Sequence, residues 1–203
     1  MAPTAPSKEP AAPPELDLER ERQERWRLSV HESAHLVVSL VLAEEGCLQP
    51  GLVGAFLLPG GGLSYPAWKD FSKLDTAIVS AAGPASSPIA RKYRPPRGEV
   101  APISAVNPPE GISVGTFSGI AADHAGGIPD AELVKVYCTS TNSGPTAWAG
   151  RWRMVHAMTR KILREHRQEI LAIARALFRS GAVLPSEIEG ILAGTMPAKQ
   201  ETR

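Results

Sequence analysis

Apolar residues recur at helical spacing along most of this chain. Trp26, Val30, Ala34, Val37 and Val41 stand four, four, three and four residues apart, the stripe of one helix face. They predict a first helix from about Leu16 to Glu45, with Gly46 as its stop. Its opening, Glu15 to Arg27, interleaves five acids with four arginines and reads as a solvated face. From Leu36 to Ala43 the pattern is apolar nearly all round, so this part is expected to be buried. The run ends at Glu44 and Glu45 and is far too short to span a membrane.

The pattern then changes period. Leu52 to Leu58, followed by Pro59-Gly60-Gly61-Gly62 and Leu63-Ser64-Tyr65, predicts a hairpin. The glycines suit a flexible turn, or a place where a backbone or ligand approaches closely. A second helix is expected from Phe71 or Ser72 to about Ala82, built on Leu74, Ala77, Ile78 and Ala81. Gly83-Pro84 should end or kink it. Pro129-Asp130-Ala131-Glu132 is a good first turn for a third, shorter helix. Trp148, Trp152, Val155, Ile162, His166, Ile170, Ile173 and Leu177 keep spacings of three, four or seven. They predict one long helix with both tryptophans in the core, closed by Ser180-Gly181. A last helix opens at Pro185-Ser186-Glu187. The expected fold class is mainly α (α+β), with one small sheet.

Composition sets the limits. The chain has 203 residues, enough for one real core. Five of the first fourteen residues are proline and four are alanine, so residues 1–15 are expected to form a disordered tail. Residues 16–195 would make the domain, with a long Pro/Gly-rich loop over 94–127, and 196–203 would be a flexible end. The 22 basic and 21 acidic residues leave a net charge of +1, which argues against nucleic acid as a partner. The excess of arginine and lysine between Arg151 and Arg167 fits a solvated helix face. Two cysteines, Cys47 and Cys138, cannot build a disulfide framework, and a reduced cytoplasmic chain is the simpler expectation. Neither a membrane span nor a secretory signal is expected.

One short motif carries chemistry. His31-Glu32-Ser33-Ala34-His35 is an HExxH on the segment expected to be a buried helix. Residues i and i+4 share a helix face, so both imidazoles can reach one metal ion, with Glu32 beside them as a general base. Zinc suits two neutral nitrogens and one carboxylate, with a fourth position left for water whose pKa falls to about 7. The longer HExxHxxGxxH form is absent, because Val38 and Val41 stand at the required Gly and His positions.

Val30-His31-Glu32-Ser33-Ala34-His35-Leu36-Val37-Val38 resembles the VHEAGHAVV signature of the FtsH-type zinc protease domain, the peptidase half of the ATP-dependent membrane proteases. Leu74 to Ala85, ending in Ala82-Gly83-Pro84-Ala85, resembles that family's second helix and its AGRAAE or AGPAAE element. The C-terminal amphipathic helix and Ser186-Glu187-Ile188-Glu189 also fit, so the likeness extends over residues 24–193. Ala34 replaces the usual glycine, and Ser86 and Ser87 stand where an acid is usual, followed by Pro88. No P-loop motif is present, so the resemblance implies a free-standing peptidase domain without its own ATPase or membrane helices.

In that family the third zinc ligand is an aspartate at the start of the helix after the long loop. Asp123, in Gly119-Ile120-Ala121-Ala122-Asp123, keeps the family's Gly-to-Asp spacing and is preferred. Asp130, in Gly126-Gly127-Ile128-Pro129-Asp130, has the same spacing and the better helix start. His124 is an ordinary loop histidine or an assistant at the site; His166 is expected at the core or its rim, and His156 on the surface. The expected activity is that of a zinc metalloendopeptidase acting on peptides or unfolded chains, with folded substrates supplied by a separate unfoldase or adaptor. The alternatives are a metal-stabilised inactive interaction module of the same fold, or a regulator that cleaves one specific partner.

Overall fold

The computed structural model describes residues 15–43, 54–58, 61–65, 72–101, 130–140 and 144–195. Residues 1–14 of the expected tail, most of the long loop, Gly46, Cys47 and the C-terminal end lie outside these residues, while Glu15 already belongs to the first helix. Among the described residues, seven helices and three strands follow in the order α1 (Glu15–Leu42), β1 (Gly54–Leu58), β2 (Gly61–Tyr65), α2 (Lys73–Ala85), α3 (Ser87–Lys92), α4 (Asp130–Thr139), α5 (Pro145–Glu165), α6 (Arg167–Ser180), β3 (Ala182–Val183) and α7 (Pro185–Thr195). The mainly α expectation holds. None of the described helices is long and apolar enough to cross a membrane.

The predicted stripe makes α1 the central helix. Trp26, Val30, Ala34 and Val37 are buried between α2 and α6, against Ile78, Ala81, Ile170 and Leu177. Trp26 is 1% exposed. Its ring meets Phe178 edge to face at 5.9 Å, and its indole N–H donates to the carbonyls of Ala90 (3.2 Å) and Tyr93 (2.6 Å). A buried indole needs such an acceptor, because an orphaned N–H would cost about 1–3 kcal/mol. The burial stops short of the expected end: Val41 is 40% exposed.

A turn further out, Arg22 and Arg25 hold the chain that leaves α3. Arg22 donates to the carbonyls of Pro96 and Gly98, and Arg25 to those of Ala101 and Phe178. Gly98 has φ 112°, a backbone conformation open to glycine and strained for other residues.

The hairpin forms as expected, with Phe56 opposite Leu63 and Leu57 opposite Gly62. A third strand, β3, was not foreseen; it pairs antiparallel with β1, giving the order β2-β1-β3 and leaving β2 at one edge. The sheet lies against α1 and α6. Gly181 ends α6 in the left-handed region at φ 79°, and its carbonyl accepts from the Leu57 N–H at 2.8 Å. The expected helix stop is therefore also what attaches the sheet.

Three expectations need correction. Gly83-Pro84 lies inside α2, which runs past the expected Ala82 to Ala85, the residue after Pro84, and passes through Ser86 into α3. The long C-terminal helix is two, broken at His166 (φ −103°, ψ 26°); the apolar positions keep phase across the break, so periodicity cannot reveal it. Trp148 and Trp152 are not core residues. They are 37% and 43% exposed, because α5 buries its inner face only from Val155 onward, through Thr159, Ile162 and Leu163. His156 is half-buried against Trp152, with ring centroids 4.5 Å apart, and burial with nearby Arg160 lowers its pKa. His166 sits at the rim, 3.4 Å from the Glu169 carboxylate.

Candidate metal centre

α1 turns its HExxH inward. His31 and His35, one turn apart, bring their Nε2 atoms to 3.1 Å. The carboxylate that meets them is that of Asp130, the first residue of α4, with Oδ2 at 2.9 Å from His35 and 3.3 Å from His31. The residue preferred as third ligand, Asp123, and His124 beside it lie outside the described residues. Asp130, the alternative with the better helix start, stands at the histidines. An acid in the first turn suits the positive end of the helix dipole, so the local helix signal and the site geometry agree on this position.

The three side chains can hold a metal ion. Their donor atoms lie 2.9 to 3.3 Å apart. Tetrahedral nitrogen and oxygen donors at about 2.0–2.1 Å from one ion stand about 3.4 Å from each other, so little movement is needed to take one up. Two imidazoles and a carboxylate are also the donor types that intermediate cations such as zinc prefer. Without a metal, burial works against a charged His35, but Asp130, by its charge and hydrogen bond, with Glu32 and the Val79 carbonyl, raises its pKa to about 9. Burial works against a charged Asp130 too, yet His35 and His31 hold it well below the usual carboxylate range.

Surrounding residues fix this geometry. The Nδ1–H of His35 donates to the Val79 carbonyl of α2 at 2.8 Å, which sets the tautomer and leaves Nε2 to face the site. Gly83 of α2 stands against both imidazoles: a Cβ there would lie 2.3 Å from Nε2 of His35 and 2.4 Å from Nε2 of His31. The space in front of the two nitrogens is open because residue 83 has no side chain.

Glu32 lies on the same helix, 5% exposed. Its carboxyl is raised above the ordinary value by burial and by Asp130, against the pull of His31, His35 and the nearby Ser64 hydroxyl. A carboxyl raised in this way holds a proton more readily than an exposed one, as a general base that must also act as an acid requires. Gly62 of β2 presses on it, since a Cβ there would fall 2.5 Å from Glu32 Cγ. The close-approach reading of the hairpin glycines therefore applies at Gly62.

Sequence reasoning missed Val79 and Ser64. A backbone carbonyl leaves no residue-type signal, and a lone serine in a strand is ordinary. Gly83 did carry one, because a glycine inside a helical pattern marks close packing. No protein-family model matches the chain, and no curated protein matches it significantly.

Proposed function

We propose that the protein is a zinc metalloendopeptidase of the FtsH type, acting on peptides and unfolded chains. The observation that carries this reading is the meeting of Asp130 with His31 and His35 at 2.9 and 3.3 Å, with buried Glu32 alongside. Isolated buried acids and imidazoles are costly, and four in one place suit a shared chemical task. His31, His35 and Asp130 would hold the ion. Zinc in such a set is a Lewis acid that polarises a carbonyl and acidifies water.

The rest falls to the chain. Glu32 takes the proton of the attacking water and returns it to the leaving amine. Its burial and its neighbours set the basicity for both steps. Val79 keeps the His35 ring in the tautomer that leaves Nε2 free. Beside them β2 is an edge strand among the described residues, and a substrate peptide can add to it as a further strand, presenting its backbone to Glu32. That mode favours extended chains, so folded substrates would need a separate unfoldase or adaptor. The free, buried thiol of Cys138 suits a reducing compartment such as the cytoplasm.

The test is cleavage of unfolded casein by zinc-loaded protein and its Glu32→Gln variant. Cleavage by the wild type, lost in the variant while zinc content stays equal, is expected. Equal cleavage by both would sink the proposal and leave a metal-stabilised module without turnover.

A further inference from the structure

A cleft of about 250 Å³ opens directly from His31 and Glu32. One wall is α1, where Leu28, Arg27 and Glu24 continue the face of His31 outward. The seven residues from His31 to Glu24 correspond to about 10 Å along the helix. The other wall is the end of α2 and its turn into α3, formed by Gly83, Pro84, Ser86, Ser87 and Ala90. These residues are small, which is why the groove stays open.

We propose that this cleft is a side-chain subsite that selects lysine or arginine next to the bond being cut. The inference rests on the peptidase reading above and adds its substrate class. Leu28, Pro84 and Ala90 offer carbon to an aliphatic stem. The serine hydroxyls have spent their protons on backbone, Ser86 on the Gly83 carbonyl at 2.7 Å and Ser87 on that of Pro84 at 3.0 Å. They can only accept from a ligand, which favours a hydrogen-bond donor. At the far end Glu24 pairs with Arg27 at 2.9 Å, and the two side chains are 54% and 63% exposed. An exposed pair of this kind is weak, and Arg27 can turn its long stem into solvent. Glu24 then receives the incoming cation. A long unbranched stem with a cationic end can follow the groove from His31 toward Glu24.

The experiment maps cleavage sites in casein by mass spectrometry for zinc-loaded wild type, Glu24→Gln and Ser87→Phe, with Glu32→Gln as background. In the wild type, lysine and arginine are expected to be enriched at one fixed position beside the cut. Glu24→Gln should lower that enrichment about fivefold, the scale of a half-exposed ion pair. Ser87→Phe should replace it with small residues among the cuts that remain. A second readout needs no turnover: a lysine-containing peptide should bind the Glu32→Gln protein more tightly than its norleucine counterpart, and adding Glu24→Gln should remove the difference. Glu32-dependent cleavage with no such enrichment, or with enrichment that Glu24→Gln leaves unmoved, overturns the subsite and leaves the peptidase standing. Absence of any Glu32-dependent cleavage overturns both.

Discussion

Gly83 and His35 are in such close approach that a single added methyl group would stand 2.3 Å from the imidazole Nε2. In an ordinary helix interior, glycine to alanine is stabilising by about 1 kcal/mol. Here the sign should divide between fold and site. Gly83→Ala is expected to keep its helix content but to bind metal about 10- to 100-fold more weakly, the usual range for disturbing the shell around a ligand. Calorimetric metal titration beside far-UV circular dichroism checks this.

Gly62→Ala should separate the base from the ion. The three atoms that its Cβ would meet first all belong to Glu32. Metal content per chain is expected to stay at the wild-type value, while casein cleavage falls by up to about a hundredfold because the carboxyl is displaced. Loss of metal in this variant would contradict the division of labour drawn between β2 and α2.

Asp130→Ala removes the carboxylate that both imidazoles face. Purified without added metal, it should contain far less than the wild type, whereas Asp123→Ala should match the wild type. Elemental analysis of the three proteins decides the third ligand.

Much of this site was legible in the sequence. HExxH announced two imidazoles on one helix face with Glu32 beside them, and Pro129-Asp130-Ala131-Glu132 announced a helix start. What the sequence could not state was which aspartate would meet the histidines: Asp123 and Asp130 share one spacing from a glycine, and only the packing of α4 against α2 brings Asp130 to α1. The misplaced tryptophans have a similar cause. Trp148 and Trp152 are in phase with Val155, but phase tells which way a residue points, not whether another element lies there. The break at His166 carries neither proline nor glycine, so no local rule marks it.

The metal-free protein should lose stability as pH rises. His35 has its pKa raised from about 6.5 to about 9, so its ion pair with Asp130 contributes fully below pH 6.5 and is lost through pH 9. Glu32, also raised, acts in the same direction, while Asp130 stays ionised throughout this window. The melting temperature in chelator is expected to fall between pH 6.5 and 9. Because a proton on His35 competes with the ion, metal affinity should rise over the same range by up to about tenfold per pH unit.

Trp26→Phe tests the core independently of the site. Phenylalanine keeps most of the contact with Phe178 but leaves the Ala90 and Tyr93 carbonyls without the indole donor. A loss of about 1–3 kcal/mol is expected, read as a lower denaturation midpoint with an unchanged slope, and with metal content unaffected.

His35 belongs to α1 and Asp130 opens α4, so an ion shared between them would fasten two points of the chain that are far apart in sequence. It would act on the folded polypeptide as a clasp that closes a loop of about a hundred residues. Unlike a disulfide, this fastening opens when the chain unfolds, so it would stabilise the fold by the free energy of binding to the folded state alone. Chelation is then a mechanical event as much as a chemical one. Without the ion, the tie between α4 and α1 would be the His35–Asp130 pair alone, a weaker clasp that loosens as the pH rises toward 9.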